Sequence, residues 1–495
     1  WETASARDYT LEGSSDGSTT GTPPAWCTDA TKERVSTSTG WPSGRSSGVA
    51  VIPIKGAMRA LYGRAVQDPP VPTADRGWIG LRWVLNRRRR ARPDDSSAPR
   101  EHLVARPSAR LGEQMERASG DQMGPLTFGI EEEYLVVDAE TGALVPRSDE
   151  LLAAARPTRG DEVGPELNLC HIEVATPICD GLQQARDHLV RLRHGLDDAA
   201  SSVGVGAVPM GSHPFSSWSD QQVDLRNDRY RRMDDVYQTV CRQQVICGCH
   251  VHVGVADRDL AVTVMNRVQP WLPVLLALSA NSPYWQRLDT GFVSYRSQVW
   301  QRWPTAGMPP RLANAAEFDE IVNGLLLVDA IEDATFLYWY VRPYARFPTL
   351  EFRVCDVCLD VDETVVVAGL IRALTWTCIR EARAGRPVST PRQEIMEAAI
   401  WRAGRYGLED RLISPYTLTP RPAAEVAEEL LTFVEDALVH HGDQEEVTRL
   451  VHQILERGNG AKRQRAAYLA RGDLRDVVCT ARAAMRPAEV AAGRG

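Results

Sequence analysis

Four segments of the chain alternate apolar and polar residues with the two-residue period of a half-buried strand. The first runs from Leu126 to Asp138, LTFGIEEEYLVVD. Successive strand side chains point to opposite faces, so Glu131, Glu133, Leu135 and Val137 share one face, while Ile130, Glu132 and Tyr134 take the other. Residues 138–142 are turn-like, and Leu144, Val145 and Pro146 are expected to open a return strand. The second segment, Glu166 to Pro177, sets His171, Glu173 and Ala175 against Ile172 and Val174, and Pro177 ends it. The third, Val245 to Val255, opposes His250 and His252 to Val251 and Val253. The fourth, Pro348 to Val357, opposes Thr349, Glu351 and Arg353 to Leu350, Phe352 and Val354.

The helical period appears between and after these strands. Leu182, Ala185, Leu189, Leu192 and Leu196 predict a helix over 181–202. Trp271 to Ala280 reads as a buried helix closed by Asn281, Ser282 and Pro283. Beyond residue 360 the pattern is helical, with amphipathic stretches at Ala423 to Leu438, Glu445 to Leu455 and Leu474 to Met485. Strands interspersed with helices, then helices alone, predict an α+β fold with an antiparallel or mixed sheet in preference to a Rossmann fold.

The four strands each carry Glu or His on one face: Glu131, Glu133, Glu173, His250, His252 and Glu351, with Arg353 beside them. Carboxylates on an otherwise apolar face are costly unless cations meet them. Hard oxygen donors suit Mg²⁺ or Mn²⁺ better than zinc, and the set reads as a cradle for metal-bound nucleotide phosphates. Residues 277–300 gather Tyr284, Trp285, Phe292, Tyr295 and Trp300 around Arg287 and Arg296, with Arg302 just beyond, and read as a ligand-binding wall. Cys247, Cys249, Cys355 and Cys358 have the spacing of a four-thiolate zinc site, but their apolar strand context favours buried reduced thiols.

Composition divides the chain near residue 123. Residues 1–122 hold 18 basic and 14 acidic residues and are rich in Ser, Gly, Pro and Arg, against 39 basic and 51 acidic in the remainder. The first part is expected to be a largely disordered extension with a short helix near 77–91, and its run Arg87 to Arg90 a solvated charge run. The net charge of −8 over 495 residues speaks against nucleic acid as a partner. No stretch of about 18 apolar residues is present to cross a membrane. No charged-then-apolar leader opens the chain, and the expected location is cytoplasmic. Lysine is confined to Lys32, Lys55 and Lys462. Phosphate contacts between residues 124 and 461 must therefore come from arginine, backbone N–H groups or metal, which excludes a lysine-dependent P-loop there.

The segments GIEEEYLVVD, ELNLCHIEVATPIC, GSHPF, GCHVHVGV, ALSANSPYW, FPTLEFRVCDV and RGNGAKRQR occur in this order. Together they resemble the carboxylate–amine ligase family, also called glutamate–cysteine ligase type 2, from about Met123 to the C-terminal region. The resemblance implies a catalytic domain over 123–495 with the glutamine synthetase and guanido kinase fold, a curved, mainly antiparallel sheet backed by helices. It implies ATP-dependent amide-bond formation between a small-molecule carboxylate and an amine through an acyl phosphate, with glutamate and cysteine as the typical pair. Glu131, Glu133, Glu173 and Glu351 correspond to metal-binding acids. His250 and Arg353 correspond to phosphate-facing catalytic groups, Arg342 and His252 are secondary candidates, and Arg296 is a cofactor-binding candidate. ATP and Mg²⁺, or Mn²⁺, are the implied cofactors, and a homo-oligomer stays open. Two departures bear on substrate fit. Tyr338-Trp339-Tyr340 occupies the stretch where an Asp is usual before Arg342, and Cys249 stands where Thr is common. Two other readings remain: a non-catalytic ligand-binding or regulatory protein on the same fold, and a metal-dependent hydrolase built on His250 and His252.

Overall fold

The structure, a computed structural model, describes residues 124–388 and 391–486. The expectations for residues 1–122 lie outside the described residues. The main sheet has seven strands: β1 (Phe128–Asp138), β2 (Val163–Pro165), β3 (His171–Ala175), β4 (Val205–Val208), β5 (Gly248–Gly254), β6 (Val341–Pro343) and β7 (Thr349–Asp356). Their order is β2-β3-β1-β5-β7-β6, with β4 taking over beside the second half of β1. Every ladder in it is antiparallel, as expected.

The pleat of β1 sorts the molecule into two layers. Ile130, Tyr134 and Val136 face back, with Ile172, Val174, Val251, Val253, Leu350 and Phe352, and all are buried under helices. The two largest helices on that side are α1 (Leu182–Ser202), which buries Leu182, Ala185, Leu189, Leu192 and Leu196 as its period predicted, and α5 (Val361–Arg383). Between them in sequence lie α2 (Asp228–Tyr237), α3 (Leu272–Ser279) and α4 (Arg296–Trp300). Helix α3 is the buried apolar helix expected at 271–280. The front face of β1 is divided: Leu135 and Val137 pack beneath Val477, Val478 and Ala481, whereas Glu131 and Glu133 are left for chemistry.

Glu132 breaks the apolar back face and is fully buried. It survives there because Arg193 of α1, also fully buried, donates to it through Nε at 3.0 Å and through Nη2. Thr364 of α5 adds a hydroxyl at 2.6 Å, and the Tyr134 hydroxyl a further bond. Arg193 also donates to the carbonyls of Leu359 at 2.8 Å and Cys358 at 3.0 Å. One ion pair thus ties β1, α1, α5 and the turn after β7 together.

Two strand boundaries and the substrate-side reading of Cys249 are corrected, while the favoured buried thiols are found. The strand expected over 166–177 is interrupted: residues 167–170 turn, and only His171–Ala175 pairs with β1. The return strand at 144–146 is reduced to one bridge, Leu144 with Val137. Cys247, Cys249, Cys355 and Cys358 are free and buried, and no described cysteine joins a metal-binding group. Cys249 points to the back face beside Cys355, so it does not touch the substrate side.

Two expected outcomes follow. Replacing Arg193 by Met leaves Glu132 charged and unpaired in the core, and should cost about 3–5 kcal/mol in urea denaturation. The buried His213 ring is held neutral by burial, against the pull of the Gly142 carbonyl. Its Nδ1 accepts from the Ser216 N–H at 3.0 Å, and Nε2 lies 2.9 Å from the Gly142 carbonyl. Burial pushes its pKa down to about 4. Its contribution is therefore complete above the unfolded value of roughly 6.5 and disappears as pH falls through about 4. His213→Ala should destabilise by about 1–3 kcal/mol at neutral pH. The gap from wild type should narrow on acidification, and a gap that stays constant would contradict the neutral-ring account.

Candidate active site

The register of the ladders decides which side chains meet. Glu133 sits across from Glu173, and Glu131 across from both Ala175 and His250. His252 pairs with Glu351, and Arg342 pairs with Glu351 from the other side. A bulge sets two β7 residues, Arg353 and Val354, against the single residue His250. Arg353 stays on the front face with Glu351 by strand alternation, and the bulge turns Cys355 to the back beside Cys249. The front face thus gathers Glu131, Glu133, Glu173, His250, His252, Glu351, Arg342 and Arg353.

Distances along this face are short. His250 Nδ1 lies 3.3 Å from Glu131 Oε2, and its Nε2 lies 3.8 Å from Glu133 Oε1. His252 Nε2 is 3.5 Å from Glu131 Oε1 and 3.9 Å from Glu351 Oε1, while its Nδ1 is 3.2 Å from the Thr349 hydroxyl. Arg342 Nε donates to Glu351 Oε2 at 2.7 Å and its Nη1 to the Thr335 carbonyl at 2.8 Å. Arg353 Nη1 donates to the other Glu351 oxygen. Gly248 N–H donates to Glu133 Oε2 at 2.6 Å. Yet His250 Nε2, His252 Nε2 and Arg353 Nε are buried without a hydrogen-bond partner. These buried atoms on a face of carboxylates are donor and acceptor capacity open to a ligand.

Charge is unevenly balanced along the face. At the Arg342 end, burial alone would raise the Glu351 carboxyl, but Arg342 and Arg353 outweigh it and hold the group well below its ordinary range. Burial would also raise Glu131, and the neighbouring His252 and His250 hold it down. At the opposite end Arg296 and Arg353 also pull Glu133 down, but they do not outweigh burial. Burial, reinforced by Glu166, lifts Glu133 to about 8. Burial and the neighbouring Glu131, Glu166 and Glu133 push Glu173 well above its ordinary value. His250 is pushed down to about 4 by burial and by Arg353, so its imidazole is neutral and able to ligate.

Three overlapping groups bring ligand atoms within 4.8 Å of one another: Glu131, His252 and Glu351; Glu131, Glu173 and His250; and Glu133, Glu166 and Glu173. The donors are mostly hard carboxylate oxygens, and a divalent cation would neutralise the crowded acids that burial otherwise protonates. The residues therefore fit Mg²⁺ or Mn²⁺. Glu166 was missed as a site residue. An unbroken strand over 166–177 would set it on the face opposite Glu173, and the turn at 167–170 resets that alternation. Tyr230 of α2 was missed as well; burial and then the Glu166 and Glu173 charges raise its pKa. Of the aromatic and arginine-rich loop, Arg296 and Trp300 come close to the site. Arg287 is exposed, and Arg302 is turned to Gln243. Tyr338, Trp339 and Tyr340 are buried in the core.

The sequence model of the glutamate-cysteine ligase family 2 matches residues 127–480. The chain belongs to that family. Relatives agree: a Rhodopirellula baltica protein provisionally named glutamate–cysteine ligase 2 is 39% identical over 371 residues, 74% of this chain and 98% of that one. A Frankia casuarinae protein of similar provisional name is 42% identical over 373 residues, covering 75% of this chain and 43% of its own length. The fold is shared with solved ligases. Glutamate–cysteine ligase from Francisella tularensis, in complex with AMP, superposes with a TM-score of 0.57 at 13% identity, over 74% of this chain and 90% of that one. A bifunctional glutathione synthetase from Pasteurella multocida gives 0.55 at 17% identity, over 76% of this chain and 53% of that one. The front-face acids of this family member lie within the matched span.

Divalent cations should stabilise the protein in proportion to this charge imbalance. Mg²⁺ or Mn²⁺ at about a hundredfold its dissociation constant should add roughly 2.7 kcal/mol. The rise in melting temperature should shrink in Glu173→Gln, which removes a carboxylate shared by two of the three groups. A wild-type melting temperature indifferent to both ions would count against a metal site.

Proposed function

We propose that the protein is an ATP- and Mg²⁺-dependent carboxylate–amine ligase. The observation that carries this reading is the run of under-neutralised carboxylates and neutral imidazole that ends at the arginine-clamped Glu351. Joining a carboxylate to an amine through phosphate brings several anions together, and such a reaction needs fixed cations where charge accumulates. Divalent metal held by Glu131, Glu133, Glu173, Glu351 and Glu166, with His250 and His252, would supply Lewis-acid neutralisation. Arg353, with Nε free, is the guanidinium positioned to meet a phosphoryl oxygen, while Arg342 is committed to orienting Glu351.

The reaction proceeds in two displacements. A substrate carboxylate oxygen attacks the terminal phosphorus of ATP, ADP leaves, and an acyl phosphate forms. The amine then attacks the acyl carbon, inorganic phosphate leaves, and the amine loses a proton to give the amide. Kinship supports glutamate and cysteine as the substrates to try first, giving γ-glutamylcysteine.

The test is an ATP-consumption screen across carboxylate and amine pairs. ADP released only when both partners are present supports a ligase. Hydrolysis of substrate without ATP use supports the metal-dependent hydrolase. Ligand binding with no turnover supports a regulatory protein. In the active combination, Glu351→Gln should abolish most turnover while the fold is kept. Arg353→Lys should lower it at least about tenfold, roughly 1.4 kcal/mol, because an ammonium cannot reproduce the planar fork. Unchanged turnover in the folded Arg353→Lys protein would remove Arg353 from the site.

A further inference from the structure

Arg296 lies beneath the site and not on its open face, with 1% of its side chain exposed. Its guanidinium packs 5.3 Å from the centroid of the Trp300 ring, and the Arg353 guanidinium packs 5.1 Å from the same ring. Both terminal nitrogens of Arg296 are directed at the main-chain carbonyl of Arg353, each at 3.4 Å. That carbonyl belongs to the β7 bulge at Arg353 and Val354. The room for this is made by Gly248, where a Cβ would approach Arg296 Nη2 to 2.2 Å.

A second layer holds Arg296. Asp356 is fully buried, 4.0 Å from Arg296 Nη1. Its oxygens accept from the Asn281 N–H at 2.8 Å, the Ser282 hydroxyl at 2.7 Å and the Ser294 hydroxyl at 2.7 Å. Ser282 Oγ in turn accepts from the main-chain N–H of Arg296 at 3.0 Å. Asn281 is gripped by Gln464, whose Nε2 donates to its carbonyl at 2.8 Å and to its side-chain oxygen at 2.7 Å. Gly460 allows that contact, since a Cβ there would fall 2.2 Å from Asn281 Oδ1. The RGNGAKRQR segment, which touches no front-face acid, thereby acquires a role: it braces the Asp356 clamp.

We propose that Arg296, fixed by Asp356, is a positioning residue that sets the β7 bulge and so aims the Arg353 guanidinium at Glu351 and the reacting phosphate. Only a planar fork can hold one carbonyl through two nitrogens, and Asp356 supplies a buried counter-charge 4.0 Å from Nη1. The inference rests on the ligase reading for its kinetic consequence but not for its structural one.

The experiment compares wild type, Arg296→Lys and Ser294→Ala, each confirmed folded by thermal denaturation. Arg296→Lys should lower kcat at least about tenfold and leave KM for ATP within about twofold, because the residue touches no substrate. Ser294→Ala, which removes one bond to Asp356, should lower kcat about threefold with the same unchanged KM, and it carries the comparison if Arg296→Lys does not fold. Combining Arg296→Lys with Arg353→Lys should cost little beyond Arg353→Lys alone. A KM for ATP raised tenfold at unchanged kcat would make Arg296 a direct ligand contact and overturn the proposal, as would full activity in the folded variants. A wild type that consumes no ATP defeats the ligase reading instead. The positioning claim is then decided by the crystal structure of Ser294→Ala or Arg296→Lys: Arg353 displaced from Glu351 supports it, and Arg353 unmoved refutes it.

Discussion

Three consecutive glutamates on one strand must be neutralised on both sides of a sheet, and the rest of the architecture answers that demand. Pleating sends Glu132 backward into the hydrophobic layer, where a buried charge is tolerated only with a partner of opposite sign and satisfied hydrogen bonds. Arg193, Thr364 and Tyr134 supply them, and in doing so fasten two helices to the central strand. The same pleat sends Glu131 and Glu133 forward, where Arg353 does not outweigh burial at Glu133 and Glu173. The back of β1 is complete within the protein, while the front leaves buried polar atoms of His250, His252 and Arg353 unpaired.

The front face is graded, and the gradient suggests a division of labour. At the β6–β7 end, two arginines hold Glu351 ionised and fixed in direction. At the β3 end, three carboxylates crowd together with raised pKa values. The histidines of β5 lie between, one depressed by burial and one raised by its Glu131 partner despite burial. Anionic substrates lying across such a face would meet metal at one end and guanidinium at the other. That arrangement suits a reaction in which negative charge moves from a phosphoryl group to a leaving nucleotide.

Much of the site was legible because strand alternation is a local rule. The segments around Glu131, His250 and Glu351 alternate cleanly, so their shared face could be read from period alone. Glu166 was illegible for the same reason. It precedes a four-residue turn, and a count of two carried through that turn assigns it to the wrong side. Arg296 was named from an aromatic loop, but its burial beneath Gly248 and its hold on a main-chain carbonyl depend on how that loop packs against β5 and β7. Cys249 illustrates the converse: a residue neighbouring His250 in sequence lies on the opposite face of the sheet.

The sequence by itself determined the strand faces, the amphipathic helices, the α+β class and, through seven ordered motifs, the family, because periodicity and motif order are properties of the chain alone. Only the tertiary structure decided the pairing register, the bulge at Arg353, the Arg193–Glu132 pair and the clustering of Glu166 with Glu133 and Glu173. Those features depend on contacts between residues far apart in the chain. Their geometry is set by how separate elements pack, and no local period carries that information.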